Sequence, residues 1–414
     1  MKGPKVQKAQ DENRLMRKKF PIVLLLFLLV SGVVFFPHIR LGVLTALFLW
    51  DLLDEGTVHS PDRGTLAWVT SSPARERLQI PRAGEGITAD LYYPRDGKRL
   101  AAILLTHGII EAGKDDPRLV RFAYSLARSG FVVLVPELPG MKSFRILLGD
   151  VDDIVTSFRH LASLEIVDKK KMGLLGFSYG AGPTFMAAVD PSIRDQVKFL
   201  VSFGGYYDPV NVIRFITTGH YDYRDERGFL KPEPYGKWAF FINNLDYVES
   251  HKDRRILREV FEKEEKGRRD EIGALIEGLN PQGRALYELL INTDPDRVDH
   301  LIRKIDPGVR DYLERLSMAQ VIPLVNAYLL IGHGSTDPLI PYTESLRLAD
   351  AVQDKERVHV AIIELFTHVD PSRKSFFAKE FLTAYLPSLL KFYYLIYDLL
   401  SQQQSCAVCL FGMD

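Results

Sequence analysis

The chain has 414 residues, with 53 Lys and Arg set against 53 Asp and Glu, and 46% of its residues are apolar. That is the composition of a globular protein with material for one elaborated domain or two ordinary ones. Electroneutrality argues against nucleic acid as a partner, which leaves a basic footprint, and no internal repeat divides the chain.

The first 19 residues carry Lys2, Lys5, Lys8, Arg14, Arg17, Lys18 and Lys19 against only Asp11 and Glu12. The run from Phe20 to Phe36 then contains no charge, and its length is at the short limit for a membrane-spanning helix. A cleaved signal peptide would have a shorter apolar core and a small-residue cleavage site. A buried core helix would need partners nearby. The run reads best as a single transmembrane anchor over 20–36, behind a basic cytoplasmic tail over 1–19. The basic excess ahead of the span predicts the rest of the chain outside the cytoplasm. Residues 37–76 read as an interfacial segment and linker. Within them Leu41 to Leu53 is a second apolar stretch, too short to span, which with Phe48 and Trp50 lies in the interface or docks on the folded domain.

From residue 77 the pattern changes. Leu78-Gln79-Ile80 and Ile87 to Tyr93, separated by a Gly-containing turn, predict two antiparallel strands. The apolar runs Leu100–Thr106, Phe131–Val135, Met172–Leu175 and Val197–Phe203 then alternate with helical segments, which implies a mostly parallel sheet over 77–207. The pentapeptide Gly176-Phe177-Ser178-Tyr179-Gly180 follows one of these runs and precedes the small-residue segment Ala181 to Ala188. Strand, sharp turn and helix in that order force the serine into a strained backbone, with its hydroxyl projecting clear of the sheet. The glycines are needed because a β-carbon would collide where strand and helix cross. Upstream, the run ending at Thr106 feeds into His107-Gly108-Ile109-Ile110. A backbone N–H of Ile109, paired with that of Tyr179, would form an oxyanion hole. His107 is expected to brace the loop.

The strand ending near Asp208 is followed by about 115 residues before the next core strand, far beyond an ordinary connection. Asn280-Pro281, Asp294-Pro295 and Asp306-Pro307 each place an Asx cap before a proline at the first helical position. Residues 208–322 therefore read as a helical cap over the active site, with the charged stretch 252–271 as a solvated helix face. The core resumes over 323–400. The run Ala327 to Ile331 ends in a Gly-rich loop carrying Asp337, and Val358 to Phe366 is followed by His368. A serine nucleophile needs a base, and the base needs an orienting acid. Ser178, Asp337 and His368 each sit just past a strand end, on the edge where ligands bind open α/β sheets. Asp208 also ends a strand and is the rival acid. His359 lies inside a strand and reads as structural, and His333 precedes Asp337 and fails the order. Cys406 and Cys409, in the tail 401–414, cannot complete a zinc site alone.

With these motifs in place, the chain resembles the α/β-hydrolase-fold serine hydrolases, near the dienelactone-hydrolase and esterase-like branches. The resemblance covers roughly 85–207 and 323–400. It implies an α/β-hydrolase fold with a cap insertion, no metal and no cofactor. It further implies cleavage of a carboxylic ester or related acyl bond in a small-molecule or lipid-like substrate. Ile109 and Ile110 stand where HGGG-type lipases and esterases have glycines, which alters loop width. Serine as nucleophile disfavours dehalogenase and epoxide-hydrolase chemistry, whose families use aspartate there. A peptidase or thioesterase shares the same triad, and a non-catalytic binding protein on this scaffold is the third reading.

Overall fold

A computed structural model describes residues 36–404 apart from 55, 57, 59, 61–62, 83, 96, 98, 146, 234, 365–382 and 384. The expected span over 20–36, save Phe36, the expected base His368, and Cys406 and Cys409 therefore lie outside the described residues.

The strands are β1 (Ala74–Ile80), β2 (Ile87–Tyr93), β3 (Leu100–Thr106), β4 (Val132–Pro136), β5 (Val167–Phe177), β6 (Val197–Phe203), β7 (His220–Tyr223), β8 (Glu226–Phe229), β9 (Tyr328–Gly334) and β10 (Val358–Ile363). Eight of them form one sheet in the order β1-β2-β4-β3-β5-β6-β9-β10. The β1/β2 and β2/β4 pairs are antiparallel and the rest are parallel. This order, with its early 4-3 exchange and helices on both faces, is that of the α/β-hydrolase fold. The first strand begins at Ala74, paired with Tyr93, three residues before the expected boundary at 77.

The central strands are apolar on both faces because both faces are covered. Neighbouring residues point to opposite sides of the sheet. Leu104, Leu134 and Leu174 thus pack with Phe158 and Phe185, whereas Ile103, Val133 and Leu175 pack with Phe122 and Phe392.

The second of these cores includes a surprise. Residues Phe36–Leu53 form one helix, and Leu41, Phe48, Leu49 and Leu52 are buried in that core. Phe48 meets Phe122 edge-on at 5.6 Å. The helix Leu386–Ser401 lies alongside, with Tyr393 donating to the Gly42 carbonyl at 3.2 Å and Tyr397 meeting His38 at 3.0 Å. At its far end the buried carboxylate of Asp51 accepts from the Thr65 hydroxyl at 2.8 Å and the Leu66 amide at 3.1 Å. Of the two expectations for Leu41 to Leu53, docking on the domain is the one observed, so this part of 37–76 is no linker. The stretch also begins earlier than the sequence suggested. Starting from Phe36, it has 18 residues and mean hydropathy 1.3, long and apolar enough to cross a membrane, yet 33% of it is buried in the protein.

Between β6 and β9 stands an insertion with its own core, in which Trp238, Leu257, Phe261, Leu286 and Leu290 pack together. Its main helices are Pro209–Thr218, Tyr235–Asn243, His251–Glu265, Pro281–Ile291 and Pro307–Arg315. Asn280, Asp294 and Asp306 cap as their spacing implied, accepting from the amides of Gly283, Asp296 and Gly308 at 2.8, 3.0 and 2.9 Å. The charged helix His251–Glu265 still buries Leu257, Val260 and Phe261. The insertion is not purely helical: β7 and β8 pair as an antiparallel hairpin. Their four-residue strands show no fully buried face, so no apolar alternation marked them.

If the helix Phe36–Leu53 is part of the domain, Phe48→Ala should lower unfolding stability by about 3–5 kcal/mol, the usual loss for a buried phenylalanine. Trp50→Ala, at a position 65% exposed, should stay within about 0.5 kcal/mol. Urea unfolding of the two variants measures both.

Candidate active site

Strand β5 ends at Phe177, and a single tight turn, Ser178–Gly180, leads straight into the helix Ala181–Ala188. Ser178 has φ +53, a left-handed backbone that a β-carbon disfavours. The flanking glycines explain how it is held. A β-carbon on Gly176 would stand 2.6 Å from Ala181 Cα, and one on Gly180 would stand 2.2 Å from the His107 carbonyl oxygen. The loop after β3 therefore presses directly on the serine turn. Gly108 comes so close that a β-carbon there would lie 3.1 Å from Ser178 Cβ.

Two hydrogen-bonded groups hold that loop and turn. The His107 ring is 1% exposed. Its Nδ1–H donates to the Gly108 carbonyl at 2.7 Å, and its Nε2 accepts from the Leu138 amide at 3.1 Å. Burial holds its pKa below the ordinary histidine value, which favours the neutral ring these bonds require. On the helix side, Thr184 donates to the Gly180 carbonyl at 2.7 Å and faces the Thr106 hydroxyl of β3.

The Asp337 side of the sheet edge is equally constrained. Register places Phe177, Phe203 and Gly332 side by side, and Ile363 beside Gly334. The loops carrying Ser178, Asp208 and Asp337, and the chain leading on to His368, thus leave the sheet on one edge. Asp337 is 1% exposed, and its Oδ1 accepts from the amides of Leu339 and Ile340 at 2.8 and 3.0 Å. Its Oδ2 faces His333 Nε2 at 3.2 Å. His333 is fully buried, with Nδ1 against the Ser345 hydroxyl at 2.7 Å and Nε2 against the Ile340 carbonyl at 3.0 Å. It pins the Asp337 loop, a role the sequence reading missed when it set His333 aside as a base. The i, i+4 spacing of His333 and Asp337 was the available signal. His359 bonds Asp398 at 2.6 Å, away from this edge.

Asp208 is otherwise engaged. It caps the helix Pro209–Thr218, accepting from the Val210 amide at 2.8 Å, while its own amide donates to Glu344 at 2.7 Å. Glu344 is fully buried and also accepts from the Tyr207 amide and the Asn211 side chain, each at 3.0 Å. Burial pushes its pKa up to about 7, against those bonds. Nothing in the sequence singled out Glu344.

An aromatic cluster from the insertion packs on Tyr179, the residue after the serine. Tyr179 stacks on Phe240 at 5.7 Å. Tyr312 and Leu316 pack with Ile109, Tyr179, Phe240 and Tyr247, and the Tyr247 and Tyr312 rings stack at 3.6 Å. The insertion is tied down beside them: Asn244 donates to the carbonyl of Phe144, itself at φ +57, at 2.9 Å, and Arg145 pairs with Asp246 at 2.8 Å. Ile109 and Tyr179, the expected oxyanion donors, are thus among the core residues on which the insertion packs. Among the described residues, no group of three His, Cys, Asp or Glu side chains is placed to hold a metal.

No protein-family model matches the chain. It is 26% identical over 150 residues to the hydrolyase poxO of Penicillium oxalicum, across 33% of this chain and 34% of that protein. It is 29% identical over 148 residues to a probable 2-oxo-3-(5-oxofuran-2-ylidene)propanoate lactonase of Bradyrhizobium sp, across 31% of this chain and 57% of that protein. The similarity thus spans about a third of the first relative and little over half of the second. Among solved structures, a puromycin-hydrolyzing peptidase of Mycobacterium tuberculosis superposes with TM-score 0.47 at 16% identity, over 82% of this chain and 40% of that one. The 2,6-dihydroxy-pseudo-oxynicotine hydrolase superposes with TM-score 0.44 at 15% identity, over 83% and 72%.

The buried Glu344 makes a pH prediction. Its folded pKa lies above that of an exposed carboxyl, so the unfolded chain releases the proton first as pH rises. Its contribution to stability is full below about pH 4.5 and is lost as pH rises through about 7. The melting temperature of Glu344→Gln relative to the parent should therefore climb across that window and level off above it. A constant difference from acid to neutral pH would contradict the buried-carboxyl account.

Proposed function

We propose that the protein is a membrane-anchored, capped serine hydrolase that cleaves a carboxylic ester or related acyl bond through an acyl-enzyme. The observation that carries this reading is the left-handed Ser178, wedged between the Gly108 loop and its own helix, on the sheet edge that also bears the buried Asp337. A serine held in that conformation points its hydroxyl clear of the sheet, toward where a substrate would lie.

In this mechanism Ser178 attacks the acyl carbon as His368 takes its proton, with Asp337 orienting the imidazole and stabilising its charge. The amides of Ile109 and Tyr179 receive the oxyanion, and His368 returns the proton to the leaving group. Water then repeats the sequence on the acyl-enzyme. The insertion acts as the cap. Its aromatic surface of Phe240, Tyr247 and Tyr312 suits an apolar or aromatic substituent beside the acyl carbon. The lactonase name of one relative, a cyclic-ester hydrolase, agrees with ester chemistry. The basic residues ahead of Phe20 orient the catalytic domain away from the cytoplasm.

Ser178→Ala should abolish labelling by a fluorophosphonate probe and hydrolysis of aryl esters, with loss on the order of thousands-fold or more. His368→Ala should do nearly the same. Asp337→Asn should cost somewhat less, and Asp208→Asn should act mainly through stability. The rate should fall as pH drops through about 6–7, where the imidazole base is protonated. Labelling that survives in Ser178→Ala would sink the serine-hydrolase reading. A panel of esters, thioesters and peptides then distinguishes an esterase from a peptidase or thioesterase.

The cap assignment has its own readout. Tyr312→Ala should shift preference along an acyl chain-length series while changing turnover of the shortest ester much less. Unaltered selectivity in a well-folded variant would show that the insertion does not line the acyl site.

A further inference from the structure

The helix Phe36–Leu53 buries one side in the domain and leaves the other uncovered. Its exposed positions include Phe36, Ile39, Val43 and Trp50, at the spacing of one helical stripe. The neighbouring helix Leu386–Ser401 runs antiparallel to it, since Tyr393 reaches Gly42 and Tyr397 reaches His38. It adds exposed Leu390 and Tyr394. The turn that Asp51 anchors adds Trp68, 79% exposed, and Val69. The only charged residues at fully exposed positions of the two helices are cationic, Arg40 and Lys391. An uncovered apolar patch of this kind, on a protein with a well-filled core, marks an interaction surface.

We propose that this patch lies on the surface of the lipid bilayer, so that the folded domain itself docks on the membrane. The proposal rests on the reading of the N-terminal run as a membrane anchor. Two observations select the bilayer as occupant. The first is continuity: the uncharged run that starts at Phe20 leads directly into Phe36, the first residue of the stripe. A chain that leaves a membrane at that point delivers the stripe to its surface with no spacer. The second is chemistry. Two tryptophans and a tyrosine, with one Arg and one Lys among them, are the side chains that favour the boundary of acyl chains and headgroups. The cations face anionic headgroups or snorkel toward water. Docking in two places, by the run and by the patch, fixes how the active-site edge of the sheet is oriented relative to the bilayer.

The chain contains three tryptophans: Trp50 and Trp68 in the patch, and Trp238, buried in the insertion. Full-length protein is reconstituted into vesicles of phosphatidylcholine and phosphatidylglycerol brominated near the glycerol end of the acyl chains. Flotation and tryptophan quenching are then read together. The expected result is that the chain floats and its emission is quenched relative to unbrominated vesicles. In the Trp50→Phe/Trp68→Phe variant the remaining Trp238 should be unaffected by bromine. The Ile39→Glu/Val43→Glu variant should melt with the parent and still float, but lose the quenching. A chain that floats while its patch tryptophans stay unquenched overturns the docking and leaves the anchor standing. So does a concentration-dependent dimer that shields them, which would assign the patch to a second copy. A chain that does not float overturns the anchor and the docking together.

Discussion

The backbone of Ser178 is the constraint on which the rest of this sheet edge depends. A left-handed conformation at a non-glycine residue costs on the order of 1–3 kcal/mol and persists only where its surroundings leave no alternative. Here those surroundings are contacts from three sides: the crossing helix against Gly176, the His107 carbonyl against Gly180, and Gly108 against the serine itself. The contacts at Gly176 and Gly180 leave no room for a side chain and the one at Gly108 is tight, so strand β5, its helix and the loop after β3 are held as one unit. The loop and the turn that supply the two expected oxyanion donors are set by that unit. The broad apolar layers on the two faces of the sheet offset the strain.

The Asp337 side of the edge obeys a different logic. Asp337 is held by two amides and a buried imidazole, and the neighbouring helix contributes Glu344 to the turn that follows β6. The Glu344 bonds join the segments before and after a long insertion. The insertion leaves and rejoins the core at nearly one point, because the Met318 amide donates to the Tyr207 carbonyl at 2.8 Å. With its ends pinned together and its own core, it can vary without disturbing the sheet, while its aromatic residues still bear on Ile109 and Tyr179.

The parallel strands were legible because burial on both faces turns them into unbroken apolar runs, and β3 and β6 match those runs residue for residue. The serine turn was legible because its glycines are required by close approach and sit at fixed spacing. What the sequence hid depends on distance along the chain. Tyr247 and Tyr312 stack although 65 residues separate them, and neither lies in a motif. Glu344 looked like any charged helix residue, since carboxylates are almost never fully buried. His333 was weighed as a base by chain order, a test blind to its contact with Asp337. The β7–β8 hairpin had too few residues for alternation to register.

The N-terminal helix shows what apolar composition alone leaves open. A helix that is apolar all round is expected either in a core or in a membrane. The stretch through Leu53 is largely apolar on both sides for two separate reasons: one side fills the core against Phe122 and Phe392, and the other carries the uncovered stripe. The buried threonine and aspartate along its inner side resolve the ambiguity. Thr45 returns its hydroxyl to the Leu41 carbonyl, and Asp51 takes the Thr65 and Leu66 groups. A carboxylate at that position would be costly in hydrocarbon, yet within the domain it organises the next turn of chain. The polar residues, not the apolar ones, therefore assign this helix to the protein and leave only its outer stripe for a partner.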